Sequence, residues 1–201
     1  MKKRNNPFKM IPLLITAFIF CTAPTLVKAQ ANYKLTTGPD VSIKVLGSSN
    51  IHDWTMVSTA MESQGEFKFD AENMTALRNF NFQLAFKSLK SEHESMDDRT
   101  YKAVNESKFP TITYKLTSAT ISTVQKGKFL IATKGELTIA GVSQAISMEV
   151  TAVVNANKTI TCSGSKKIQL TEYGIKPPTY MLGTMKVYND LTIQFNLLYK
   201  N

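Results

Sequence analysis

The chain holds two histidines and two cysteines, so acid–base, nucleophilic or metal chemistry has few places to sit. His52 stands in Ile51-His52-Asp53-Trp54. Adjacent residues on a strand face opposite sides, so Asp53 is badly placed to orient His52 as a carboxylate orients a catalytic base. A polar group at the rim of a β-structure is the better reading of His52. His93 lies in Glu92-His93-Glu94, ahead of Asp97 and Asp98, which superficially looks like a zinc or hard-metal cluster. On a helix His93 and Asp97 would share a face, but a third ligand is not evident and the spacing matches no known zinc pattern. These residues read instead as a solvated acidic turn whose carboxylates cap a helix. The glycines are scattered rather than gathered into a phosphate-cradling loop, and Gly-x-Ser-x-Gly is missing. The sequence therefore predicts no enzyme, no cofactor and no metal site.

A lack of polar constellations is what an apolar ligand would require. Burying one methylene contributes about 0.8 kcal/mol, so a twenty-carbon chain gains on the order of 15 kcal/mol gross, enough to bind well after ordering costs. Polar residues then matter only around a headgroup.

The elements that would hold such a chain are strands. Apolar and polar residues alternate with period two, most clearly in Phe80, Phe82, Leu84 and Phe86 and in Leu191, Ile193, Phe195, Leu197 and Tyr199. Further runs cover 33–36, 41–46, 54–60, 66–70, 111–116, 128–132, 136–139, 146–154, 159–162 and 168–170. Turn-formers separate many of them, among them Gly38-Pro39-Asp40, Gly47-Ser48-Ser49-Asn50, Lys126-Gly127-Lys128 and Asn155-Ala156-Asn157-Lys158. Many short strands joined by short turns indicate an all-β sandwich or closed antiparallel barrel. One helix interrupts them. Ser95-Met96-Asp97-Asp98 has capping-box spacing with Asp in place of Glu, and Met96, Thr100, Ala103 and Val104 recur at helical intervals, placing a short helix near residues 96–105. Pro110 then sends Phe109 into extended conformation, and the strand 111–116 begins.

The first residues read as an address. Lys2, Lys3, Arg4 and Lys9 precede an apolar run, Ile11 to Cys21, too short to span a bilayer, and Val27-Lys28-Ala29 offers a cut before Gln30. Residues 1–29 are thus a secretory signal peptide and 30–201 one domain in the periplasm. The bulky Phe18-Ile19-Phe20 argues against a lipoprotein anchor at Cys21. Five of the 24 basic residues and none of the 15 acidic ones lie in the leader, so the formal charge of +9 falls to +4 in the remaining chain. That balance suits transient contact with anionic headgroups but forms no stripe of the kind nucleic acid needs. Cys162 is left alone, in an alternating run that predicts a buried, inert thiol. Nothing in the strand pattern demands a dimer, and the oligomeric state stays open.

Three stretches carry a resemblance to a known family. They are Asp98-Arg99, then Ser107-Lys108-Phe109-Pro110-Thr111-Ile112-Thr113-Tyr114, then Gly135-Glu136-Leu137-Thr138-Ile139-Ala140-Gly141-Val142. Together they resemble the YceI-like family, in which a helical segment runs into a Lys-Tyr/Phe-Pro-Thr-Ile strand and a Gly-x-Leu-Thr-Ile-x-Gly-Val segment follows. Ser49-Asn50-Ile51-His52-Asp53-Trp54-Thr55 looks like the entry motif of a subgroup. The resemblance covers essentially the whole chain after the leader. It implies an extended, eight-stranded, antiparallel, lipocalin-like barrel in the periplasm, without enzymatic activity, whose elongated cavity takes polyisoprenoids or other long-chain amphiphiles. The chain departs from the family pattern at Asp98-Arg99-Thr100-Tyr101, where Arg-Asp then His-Leu is usual, at Ala140, where a basic residue is frequent, and at Thr171-Glu172-Tyr173-Gly174, where an Arg often precedes Phe-Gly. The departure at residues 98–101 implies different headgroup contacts there, and ligand identity is the least transferable implication of the resemblance.

The expected ligand-binding residues are Phe80, Phe82, Leu84, Phe86, Ile112, Tyr114, Phe195 and Leu197 along the cavity, with Trp54, His52 and Arg99 at its mouth, where a ring meets the chain and donors meet a polar head. The competing reading is a non-enzymatic structural or interaction module in which the same stripes fill a closed core.

Overall fold

The computed structural model describes residue 1 and residues 31–201. The leader assignment, Met1 apart, lies outside the described residues. The strands are β1 (Ala31–Thr36), β2 (Ser42–Ser48), β3 (Asp53–Ser58), β4 (Glu62–Asp70), β5 (Asn73–Ala85), β6 (Thr111–Gln125), β7 (Lys128–Ile139), β8 (Val142–Val154), β9 (Ile160–Gln169), the short pair β10 (Thr179–Tyr180) and β11 (Met185–Lys186), and β12 (Asp190–Lys200). One α-helix, α1 (Glu94–Ala103), lies between β5 and β6.

The large sheet runs β1-β4-β5-β6-β7-β8-β9-β12 and closes on itself through a β1–β12 pairing. β12 serves two partners along one edge: its end pairs with β1 at Leu198 to Lys200, and its earlier part pairs with β2 at Thr192 to Asn196. β1 and β2 therefore act as one stave broken at the Gly38-Pro39-Asp40 turn, and β3 and β4 as the next. The result is a closed, eight-stranded, antiparallel, lipocalin-like barrel with one helix. Closure satisfies backbone groups that an open sheet would expose.

Two pairs of runs expected as separate strands are each continuous through a glycine. Residues 128–139 form one strand through Gly135, and 160–169 one strand through Gly164. Each glycine is a close-approach point on the inner face rather than a break. A Cβ on Gly135 would collide with the phenol of Tyr114, and one on Gly164 would lie 2.7 Å from Phe195 Cζ and 2.9 Å from the Glu149 carbonyl. Missing side chains let bulky neighbours lie across the strand.

The helix begins two residues earlier than its expected start and ends at Ala103. The Asp97 carboxylate accepts from the Ser91 backbone N–H (2.8 Å) and hydroxyl (2.7 Å), which orders the entry upstream of Ser95 and makes His93 the N-cap. Asn105 after the helix sits at φ +52, the left-handed position that ends many helices and that asparagine tolerates. The strand through Phe80, Phe82 and Leu84 stops at Ala85, so Phe86 opens a 3-10 turn, buried all the same. Within β5 the register against β4 slips between Gln64 and Glu66, where Asn79 is left-handed (φ +50) and donates to Glu66 Oε1 at 2.7 Å. This bulge turns both Leu77 and Phe80 inward.

One end of the barrel is plugged by aromatic rings. Tyr33, Phe67, Phe80, Tyr114 and Tyr199 contact one another in series, with centroids 5.3 Å apart for Tyr33–Phe67 and 5.6 Å for Phe67–Tyr199. The buried Tyr199 hydroxyl pairs with the Ser63 hydroxyl at 2.9 Å, so its polar atom is satisfied inside the plug.

Candidate ligand-binding cavity

Inward side chains do not fill the barrel. Above the aromatic plug lies a narrow cavity of about 110 Å³, walled by Phe80, Phe82, Leu84, Ile112, Tyr114, Phe195 and Leu197 together with aliphatic residues of β7 and β8. A wider cavity of about 300 Å³ follows toward the other end, walled by Trp54, Met56, Phe86, Leu89, the α1 face, Tyr173, and Ile175, Pro178, Tyr180, Met185 and Val187. Val45, Ile112 and Ile193 line both, so these three side chains form a neck at the boundary between the two spaces. The combined size is in the range of pockets that enclose small ligands.

Every expected site residue lines one of these two spaces, with His52 and Arg99 exposed at the rim. Phe80, Phe82, Leu84, Ile112, Tyr114, Phe195 and Leu197 wall the narrow part. Phe86, Trp54, His52 and Arg99 wall the wide part. Period-two alternation is satisfied because closure puts this one face of each strand inside.

The mouth is assembled from four segments. α1 lays Met96, Arg99, Thr100, Ala103 and Val104 along the cavity, a stripe at helical spacing. Its position is fixed by the Tyr101 hydroxyl donating to the Leu89 carbonyl at 2.8 Å and by the Asp97–Ser91 bonds. Burial pushes the Asp97 carboxyl up, but the Ser91 hydrogen bonds and Lys90, whose Nζ is 3.4 Å away, more than offset this and hold it below the usual carboxylate range. The loop after β2 and the β10–β11 hairpin are clamped together: Asn50 Nδ2 donates to the Thr184 carbonyl (2.8 Å), and Asn50 Oδ1 accepts from Lys186 N–H (2.7 Å). The Arg99 guanidinium lies 4.8 Å from the Tyr180 ring centre, tying helix to hairpin across the mouth. Trp54 packs over Gly47 of the neighbouring strand, where a Cβ would overlap the indole. His52 is exposed, with Nδ1 2.9 Å from the Asp53 carbonyl. His93, also at the mouth, sits at the N-cap position with no side-chain capping bond, its carbonyl accepting from the Met96 and Asp97 N–H groups, rather than sharing a helical face with Asp97.

Polar groups on the interior are few and specific. The Tyr114 and Tyr173 hydroxyls are buried without a hydrogen-bond partner among the described residues. Tyr114 walls the narrow cavity and Tyr173 the wide one. Burial, aided by Glu172, pushes the Tyr173 phenol up to about 12. Lys166 enters the narrow wall, its Nζ donating to the Ser147 carbonyl at 3.0 Å. Cys162 also faces this wall, and burial pushes its thiol up to about 12. Among the described residues no three His, Cys, Asp or Glu side chains converge as metal ligands. Tyr173 is the site residue the sequence reading passed over. It precedes the left-handed Gly174 (φ +70) that closes a 3-10 turn, and its partner elements are far away in sequence.

A closed antiparallel barrel, plugged at one end and open through an apolar funnel at the other, has the architecture of a container for extended apolar molecules. The family model of the YceI-like domain matches residues 36–199, and the chain belongs to the YceI-like family. Solved structures of the same fold include BcnA of Burkholderia cenocepacia, 19% identical with TM-score 0.60 over 78% of this chain and 95% of that one. Another is a polyisoprenoid binding domain from Saccharophagus degradans, implicated in plant cell wall breakdown, 12% identical with TM-score 0.62 over 84% and 97%. A YceI protein of Campylobacter jejuni is 17% identical with TM-score 0.51 over 69% and 81%. Among curated proteins none matches the chain.

Proposed function

We propose that this protein is a non-enzymatic, periplasmic binding or carrier protein that holds one long apolar chain, such as a polyisoprenoid or related lipid, tail down in the barrel. The observation that carries the reading is the pair of adjoining, largely apolar spaces that share Val45, Ile112 and Ile193 and stack between mouth and plug, which a filled structural barrel would not leave. Phe80, Phe82, Leu84, Phe86, Ile112, Tyr114, Phe195 and Leu197 contact the tail. Trp54, His52 and Arg99 meet the polar head at the mouth, and the unpartnered Tyr173 hydroxyl offers that head a hydrogen bond. The polyisoprenoid-binding description of the Saccharophagus degradans domain supports this ligand class. The leader read over residues 1–29 supports export, with residues 30–201 acting as one barrel domain.

Trp54 is the one tryptophan of the chain, so its emission reports on the mouth directly. Titrating the exported protein with farnesol and then geranylgeraniol should shift that emission saturably and stoichiometrically, more tightly for the longer alcohol. An unchanged spectrum, with no alcohol retained after gel filtration, would reject the carrier reading.

A further inference from the structure

The mouth carries an apolar projection that neither the core nor the cavity uses. Leu182 is 107% exposed and Met181 68%, at the tip of the β10–β11 hairpin. Ile51 (56%) and Tyr188 (50%) are exposed on flanking segments. Hydrogen bonds from Asn50 to the Thr184 and Lys186 backbone, and from Tyr188 N–H to the Ser48 carbonyl, hold these residues at one end of the molecule. Tyr180, Met185 and Val187 of the same segment wall the wide cavity, so the projection stands on its rim.

Its backbone is strained. Met181 (φ +52), Leu182 (φ +55) and Gly183 (φ +90) are consecutive left-handed residues, and the first two carry side chains that disfavour that conformation. A Cβ built on Gly183 would meet nothing within 4 Å, so the tip stands clear in open space. The surrounding charge is positive: Lys176 and Lys186 are exposed, and no acidic residue lies between Glu172 and Asp190. Glu92, Glu94 and Asp98 are exposed around the start of α1, so the positive face belongs to the hairpin side of the rim.

We propose that the Met181-Leu182 tip is a membrane-docking finger that seats the mouth on an anionic phospholipid surface. A protruding apolar pair flanked by lysines fits the headgroup–acyl boundary, where apolar side chains partition inward and cations meet phosphates. The inference rests on the carrier reading for its purpose, because the finger places the mouth where a membrane-dissolved chain would enter. Its test is separate.

The exported protein is floated with vesicles of equal parts phosphatidylethanolamine and phosphatidylglycerol. The double variant Met181→Ser/Leu182→Ser should bind these vesicles at least about tenfold more weakly than the parent, since burying one large apolar side chain is worth about that factor. Val124→Ser/Val153→Ser, which removes exposed apolar residues from the other end, should bind like the parent. Farnesol affinity without vesicles should be the same in all three proteins, which also shows that the variants fold. Equal vesicle binding by parent and finger variant overturns the proposal, as does a parent that fails to float or an equal loss in the valine variant. Capture on a membrane protein without binding to protein-free vesicles overturns it too. Absence of farnesol uptake by a parent that does float would instead remove the carrier reading and leave the finger standing.

Discussion

The neck between the two cavities gives the sharpest prediction about ligand length. Val45 and Ile193 face each other across the β2–β12 pair, and both line the narrow and the wide space. In Val45→Phe the larger ring would occupy the neck and separate the cavities. Each five-carbon isoprene unit that passes the neck buries methylenes worth about 4 kcal/mol gross, at about 0.8 kcal/mol per methylene. Ordering the tail and its wall returns part of this, so a net loss of about 1.5–3 kcal/mol, roughly ten- to more than a hundredfold in Kd, is expected for the longer chain. A short alcohol that ends in the wide cavity should bind V45F nearly as it binds the parent. The assay is Trp54 emission titrated with geraniol, farnesol and geranylgeraniol, with thermal unfolding as a control because overpacking costs about 1–3 kcal/mol of stability. Steep length dependence in the parent should flatten in V45F. If the longest alcohol binds both proteins equally, the tail does not pass the neck and the tail-down arrangement is wrong.

Other perturbations follow from the same geometry. Tyr173→Phe removes a hydroxyl without a hydrogen-bond partner among the described residues, so apo stability should hold or rise slightly while affinity for an oxygen-headed chain falls about fivefold or more, measured by the same titration. Gly135→Ala should lower stability by about 1–3 kcal/mol in urea unfolding, because the methyl meets the Tyr114 ring and the Lys115 carbonyl. Asp97 has its folded pKa lowered, so its stabilising contribution is complete above the unfolded carboxylate pKa of about 3.9 and fades as pH falls through the folded value. Asp97→Asn should therefore unfold more easily than the parent at neutral pH, with the gap closing in acid. Cys162 has its folded pKa raised to about 12, so the protein should lose stability as pH climbs from about 8.5 toward that value. Its thiol should resist an aromatic disulfide reagent in the native state at neutral pH and react once urea unfolds the barrel.

Alternation made most of the barrel legible, since Phe80-Phe82-Leu84 and Leu191 through Tyr199 can bury one face only as strands. Alternation alone could not say which face lies inside. That is decided by closure, through β12 pairing with both β1 and β2, a contact between the two ends of the chain. The runs on either side of Gly135 and Gly164 look separate because a glycine has no side chain to carry the alternation, and only the rings of Tyr114 and Phe195 lying across them explain why the strands continue. The helix start was misplaced for a related reason: Asp97 bonds back to Ser91, so the capping interaction begins before the Ser95 motif. Mouth candidates Trp54, His52 and Arg99 were visible as unusual residues near turns. Tyr173 and the 175–187 segment were not, because no period marks a loop that folds over a cavity.

The central claim, that the barrel interior carries a long apolar chain, is tested most directly by native mass spectrometry of the protein purified from its native cells, followed by organic extraction. The account predicts a stoichiometric mass increment that the extract identifies as a long-chain lipid. A clean apo mass, with no uptake of added isoprenoids, would contradict it.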